Sequence, residues 1–172
     1  MAYVLSALIA DLELLRGSGE LTVVPLPQGK GLVPLVEKLG SEHVSQPLLR
    51  GWEGRNAPDA DFESPEERRR YIDRASAAFA RISSRCARLS SAPGAAVVYV
   101  EADFWAGSGG QAASVWEGGE LVLGPLVERE AINQALARLG VQAESSGERF
   151  VALDLGRFRS TESWIDLVEP PA

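Results

Sequence analysis

Residues 96–126 read AVVYVEADFWAGSGGQAASVWEGGELVLGPL, and the fold depends on how this stretch is parsed. Val97, Val98, Tyr99 and Val100 are β-branched or aromatic, the residue types that suit a pleated, half-buried surface. In a strand, Val98, Val100, Ala102 and Phe104 share one face, while Tyr99, Glu101, Asp103 and Trp105 share the other. Ala106-Gly107-Ser108-Gly109-Gly110 then reads as a turn, followed by a second strand over Gln111 to Glu117. Gly118-Gly119 has the composition of a two-residue hairpin turn, with Glu120 to Leu123 as the returning strand and Gly124-Pro125 as its end. The stretch therefore predicts a three-stranded antiparallel meander.

The glycines also satisfy G-x-G-x-x-A over Gly107 to Ala112. A dinucleotide site needs a helix opening directly behind such a loop, because the helix N-terminus holds the pyrophosphate. Only Gln111 to Glu117 separate it from the next turn, and Ser114-Val115-Trp116 suits a strand better. No Gly-Lys-Ser/Thr closes a phosphate loop, and Gly107-Ser108-Gly109 lacks the spacing of a nucleophile elbow. No cofactor is expected.

Tyr99 to Ala113 resembles a group of uncharacterised bacterial proteins. Their pattern is a strand, an aromatic pair (here Phe104-Trp105), Gly-Gly-x-Gly-x-Gln and a strand of small residues. Ala106 stands at the first glycine of that pattern. The resemblance continues through a helix like Ala131 to Leu136, ending in Leu139-Gly140-Val141, and a segment like Phe150 to Arg159 with a tryptophan such as Trp164. It implies no activity, since none is established for the group.

At 172 residues, 45% hydrophobic and 24% charged, the chain has the size and composition of one soluble globular domain. No apolar run approaches the roughly 18 residues of a membrane span, and Met1-Ala2-Tyr3 lacks the basic start of a secretory signal. The one cysteine, Cys86, forms neither an internal disulfide nor a metal cluster, so no metal site is expected. Together these features point to a cytoplasmic bacterial protein.

From the start of the chain, Ala2 to Ala10 is almost wholly apolar and fits a strand or a helix. Asp11 to Leu15 predicts a helical turn, Leu21 to Leu26 a short strand limited by Pro25 and Pro27, and Gln28 to Gly31 a turn. Residues 40–63 contain Pro47, Gly51, Gly54 and Pro58 and predict an irregular segment. His43, the only histidine, reads as a surface residue with no catalytic pattern around it. Trp52 is expected to anchor the segment to the body, with an exposed binding aromatic as the alternative.

Ser64 to Leu89 is the clearest helix. Ser64-Pro65-Glu66-Glu67 forms a capping box with proline at the first helical position. Ile72, Ala75, Phe79, Ile82, Cys86 and Leu89 make an apolar stripe, which reads Cys86 as a buried hydrophobe. Residues 64–89 hold seven arginines and three acids, a local +4, which leaves −11 on the rest of a chain whose net charge is −7. An acidic chain makes nucleic acid an unfavourable partner. Val127 to Leu139 predicts a second helix stopped by Gly140, Phe150 to Leu155 a final strand, and Thr161 to Leu167 a helical turn. The tail, 168–172, reads as frayed.

The expected architecture is α+β: an antiparallel sheet with the Ser64 and Val127 helices on one face. The favoured function is a non-catalytic protein-binding module of inhibitor or immunity type, with no membrane contact and a partner that is another, basic protein. Its candidate surface comprises Trp105, Glu101, Asp103, Gly107, Gly109, Gln111 and Trp116. Burial of Trp105 and Trp116 under the helices is the competing expectation. The alternative function is a hydrolase or transferase using Glu101 and Asp103, since adjacent carboxylates can divide acid and base roles. A solvated strand face is the plainer reading of that pair.

Overall fold

The computed structural model describes residues 2–19, 22–35, 46–106 and 108–167. The expected tail at 168–172, His43 and Gly107 therefore lie outside the described residues. Six antiparallel strands form one sheet in the order β2-β3-β1-β4-β5-β6. They are β1 (Tyr3–Asp11), β2 (Val24–Pro25), β3 (Lys30–Pro34), β4 (Ala96–Trp105), β5 (Ser108–Glu117) and β6 (Glu120–Val127). The helices are α1 (Leu12–Gly17), α2 (Pro47–Asn56), α3 (Pro65–Leu89), α4 (Ala131–Arg138), α5 (Arg149–Ala152) and α6 (Thr161–Ile165).

The expected meander is β4-β5-β6, with Tyr99 opposite Ser114 and Glu101 opposite Ala112. Its first turn is tighter than expected, because Trp105 already pairs with Ser108 and Gly109-Gly110 belong to β5. Gly124-Pro125 does not end the third strand. β6 runs on to Val127 through irregular pairing, Ala113 meeting Leu126 and Val115 meeting Leu123.

β1 settles the ambiguous first run. It lies between β3 and β4 in mid-sheet, and Leu5 and Ala7 to Ala10 are all fully buried. A strand covered on both faces shows a continuous apolar run without alternation. Where β3 stops at Pro34, the C-terminal part of the chain takes over β1's free donors. Val4 N–H donates to Arg159 O at 2.9 Å and Ser6 N–H to Thr161 Oγ1 at 3.0 Å.

Both faces of β4 carry apolar residues, and both are covered from Val97 to Ala102. Val98, Val100 and Ala102 join the core beneath α4, with Ile132, Ala135 and Leu136. Val97 and Tyr99 join a second core beneath α3, with Ile82 and Cys86. α3 and α4 thus take opposite faces instead of the shared face expected from the sequence. With two buried stripes on its central strands, the sheet needs a cover on each side.

α3 begins at its capping box: Ser64 Oγ accepts from Glu67 N–H at 3.1 Å, and Glu67 Oε2 accepts from Glu63 N–H at 2.6 Å. α4 ends in a glycine cap, Val141 N–H donating to Leu136 O and Gly140 N–H to Ala137 O. The predicted strand over Phe150 to Leu155 is instead the short helix α5 and a turn. Phe150 and Leu153 stand three apart, and the Phe150 N–H donates to Asn133 Oδ1 at 3.0 Å rather than to a strand. Tyr3 Oη donates to Leu155 O at 2.8 Å, fastening this segment to β1.

The segment expected to be irregular contains α2. Its glycines are there for contact with α3: a Cβ on Gly54 would sit 2.8 Å from Ile72 Cγ1 and 2.9 Å from Tyr71 Cδ1. Gly51 faces Ala75, whose Cβ would lie 3.7 Å from a Cβ added there. This packing gives a test of sign. Helix propensity alone favours Gly54→Ala by roughly 1 kcal/mol, whereas the contact with α3 predicts a destabilisation of about 1–2 kcal/mol from overpacking. A urea titration in which Gly54→Ala is more stable than wild type contradicts the close α2–α3 crossing.

Candidate functional site

Glu101, expected on a solvated face, is fully buried because α2 lies across it. Its Oε1 accepts from Leu48 N–H at 2.8 Å and from the Tyr99 hydroxyl at 2.7 Å. Its Oε2 accepts from Leu49 N–H at 2.8 Å. Pro47 at the first helical position has no N–H, and Arg50 N–H donates to Gln46 O at 3.0 Å. Every donor of the first turn is thereby accounted for, two of them by a carboxylate from the sheet.

Gln46 sits in the left-handed region at φ 59° and turns its side chain to the sheet. Its Nε2 donates to Ala102 O at 2.7 Å and to Leu5 O at 3.3 Å, two residues paired across β4 and β1. The other end of α2 is held by Arg68 of α3. Its Nε donates to Gly54 O at 2.7 Å, and its Nη2 to Arg55 O at 3.0 Å and Ala57 O at 3.1 Å, while Nη1 pairs with Asp59. A ten-residue helix containing two glycines is marginal alone. Side chains from two other elements fix it at both ends.

Burial pushes the Glu101 carboxyl up to about 7, against the Leu48, Leu49 and Tyr99 donors, which hold it down. Burial and the neighbouring Glu101 raise the Tyr99 hydroxyl well above its ordinary range, and Ser6 Oγ lies 3.2 Å from it.

With α2 in place, a cleft of about 730 Å³ opens between it and the ends of the meander strands. Leu49, Trp52 and Glu53 form the helix wall; Asp103, Phe104, Gly109, Gly110 and Val127 line the sheet side, with Glu128 and Arg129 beyond. Arg50 joins the two walls, reaching Glu53 Oε2 at 3.0 Å and Asp103 Oδ2 at 3.9 Å. Trp105, two residues past Asp103 on the same strand face, is 66% exposed, and Trp52 is 47% exposed.

The expected surface is therefore divided. Trp105 and Asp103 lie at the cleft end of β4. Trp116 does not: it is buried beside Phe79 of α3, ring centroids 6.1 Å apart. Gln111 lines the cleft, yet its Oε1 accepts from Ile132 N–H at 2.9 Å and caps α4. Gly109 is required by the backbone, since a Cβ there would lie 2.0 Å from Asp103 O at a φ of +143°. Trp52, expected as an anchor, is instead a half-exposed wall. Leu49, Arg50 and Glu53 were missed because two glycines concealed their helix; Pro47 followed by Leu48, Leu49 and Trp52 was the available signal.

Among the described residues, no group of three or more histidine, cysteine or acidic side chains is placed to hold a metal ion. Among them, too, no helix is long and apolar enough to cross a membrane. No protein-family model, curated protein or solved structure matches the chain.

The buried carboxylate makes a signed prediction about pH. The folded pKa of Glu101 lies above the ordinary 4.5, so the folded chain keeps this proton to higher pH than the unfolded chain. Its contribution to stability is greatest below about pH 4.5 and is lost as pH rises to about 7. The stability difference between wild type and Glu101→Gln, measured by denaturant titration across that range, should narrow with rising pH. A difference that widens would mean that the donors outweigh burial.

Proposed function

We propose that the chain is a non-catalytic protein-binding module of inhibitor or immunity type, which receives its partner at the cleft beside α2. The observation that carries this reading is two exposed tryptophans: Trp52 in the wall of that cleft, and Trp105 at the end of β4, just past the lining residues Asp103 and Phe104. Large aromatics with polar surroundings are the residues that dominate binding energy when a partner desolvates them. Asp103, Glu53 and Glu128 supply such surroundings. The acidity of the chain outside α3 favours a basic protein and disfavours nucleic acid. The composition and the single cysteine favour a bacterial cytoplasmic setting.

The carboxylate-enzyme reading loses its main residue. Glu101 has no exposed surface, and both of its oxygens are engaged in holding α2 and Tyr99. Asp103 alone, already near Arg50, does not make an acid–base pair.

Trp105→Ala should leave the melting temperature nearly unchanged, because the indole is mostly exposed. The same change should weaken capture of a partner by more than about 2 kcal/mol. Affinity capture from the source bacterium, with the two proteins as parallel baits, reads both effects alongside a melting curve. Equal retention of every captured protein by both baits would remove Trp105 from the recognition surface.

A further inference from the structure

The cleft does not end at Trp52. This indole and Val127 also line a second furrow, of about 360 Å³, on the α3 side. Its remaining walls include Ala75 and Phe79 of α3 and Pro125 of β6. The two furrows differ in character. The first is rimmed by the carboxylates of Glu53, Asp103 and Glu128, with Arg129 as its lining cation and Arg50 between Glu53 and Asp103. The second has no lining carboxylate: Leu48, Ala75, Phe79, Pro125 and Val127 supply its apolar surface, and Ser76 and Arg55 its polar groups.

We propose that this double furrow takes an extended segment of a partner protein that presents an arginine or lysine to the carboxylate-rimmed side and an apolar side chain to the other, with Trp52 between them. The inference rests on the protein-binding reading of the site and adds the chemistry that the site selects. A guanidinium or ammonium beside an indole gains from the ring's electron-rich face. The surrounding carboxylates supply charge-assisted hydrogen bonds to the same group. Residues i and i+2 of an extended chain point the same way about 7 Å apart, a distance that one aromatic ring can fill. Phe79, Ala75 and Pro125 offer the apolar neighbour a surface with no carboxylate to compete for the basic group. An acidic body carrying −11 outside α3 also attracts a basic segment at long range.

Panning a phage-displayed library of random linear peptides on the intact protein tests this directly. Enriched peptides are then titrated by calorimetry against wild type, Trp52→Ala, Trp105→Ala and Asp103→Asn, each checked by its melting curve. The expected result is enrichment of a basic residue two positions from a large apolar one. Trp52→Ala should weaken binding by at least about 10-fold. Asp103→Asn, which keeps the shape and removes one charge, should weaken it by about 5-fold and flatten its salt dependence. Binders without a basic residue, or binders indifferent to both Trp52→Ala and Asp103→Asn, overturn the inference. If such binders still lose affinity in Trp105→Ala, the protein-binding reading stands and only the proposed selectivity fails. If no peptide enriches, the extended-segment inference fails, and the protein-binding reading is decided by the affinity capture with Trp105→Ala.

Discussion

A single buried carboxylate organises one side of this molecule. Glu101 projects from the middle of the sheet, where burial of a charge is expensive, and meets the one kind of partner that justifies its position: the free N–H groups of a helix start. An apolar residue there would fill the space but leave Leu48 and Leu49 N–H buried without acceptors. A carboxylate without α2 above it would be solvated, as the sequence suggests. Helix and carboxylate therefore depend on each other, and the cleft exists because both are present.

The remaining contacts of α2 follow the same logic. Gln46 bonds carbonyls of both central strands, and Arg68 collects the carbonyls at the far end. Gly51 and Gly54 trade helix propensity for close approach to α3. Fixed at its ends and along its inner face, α2 can leave Trp52 half exposed on its outer side without losing its place. Binding residues mounted on a rigid element lose less conformational entropy when a partner arrives.

The parts of the fold legible in the sequence were those in which one local rule decides. Val97 to Val100 are β-branched or aromatic and read as a strand, Ser64-Pro65-Glu66-Glu67 announces α3, and Leu139-Gly140 ends α4. Glu101 was misread because alternation places it beside Asp103 and Trp105, which are partly or largely exposed. Its cover comes from residues more than fifty positions earlier in the chain. α2 was hidden because its glycines and proline spell a loop to any rule based on propensity. The two-sided sheet was hidden for a related reason: a sequence reveals that a helix has an apolar stripe, but not which face of the sheet receives it. Trp105 stays exposed at the end of β4 while Trp116 is buried against α3, a difference that depends on which residues the helices cover and that strand alternation alone does not reveal.

Amide hydrogen exchange over α2 in the intact protein tests this account most directly. The account predicts that the Leu48 and Leu49 amides exchange as slowly as those of β4. It also predicts that Glu101→Ala accelerates these two and the amides of the following turn selectively, leaving β4 and α3 protected. Fast exchange at Leu48 and Leu49 in the wild type, or unchanged exchange across α2 in the variant, would contradict the claim that this carboxylate holds the helix and builds the cleft.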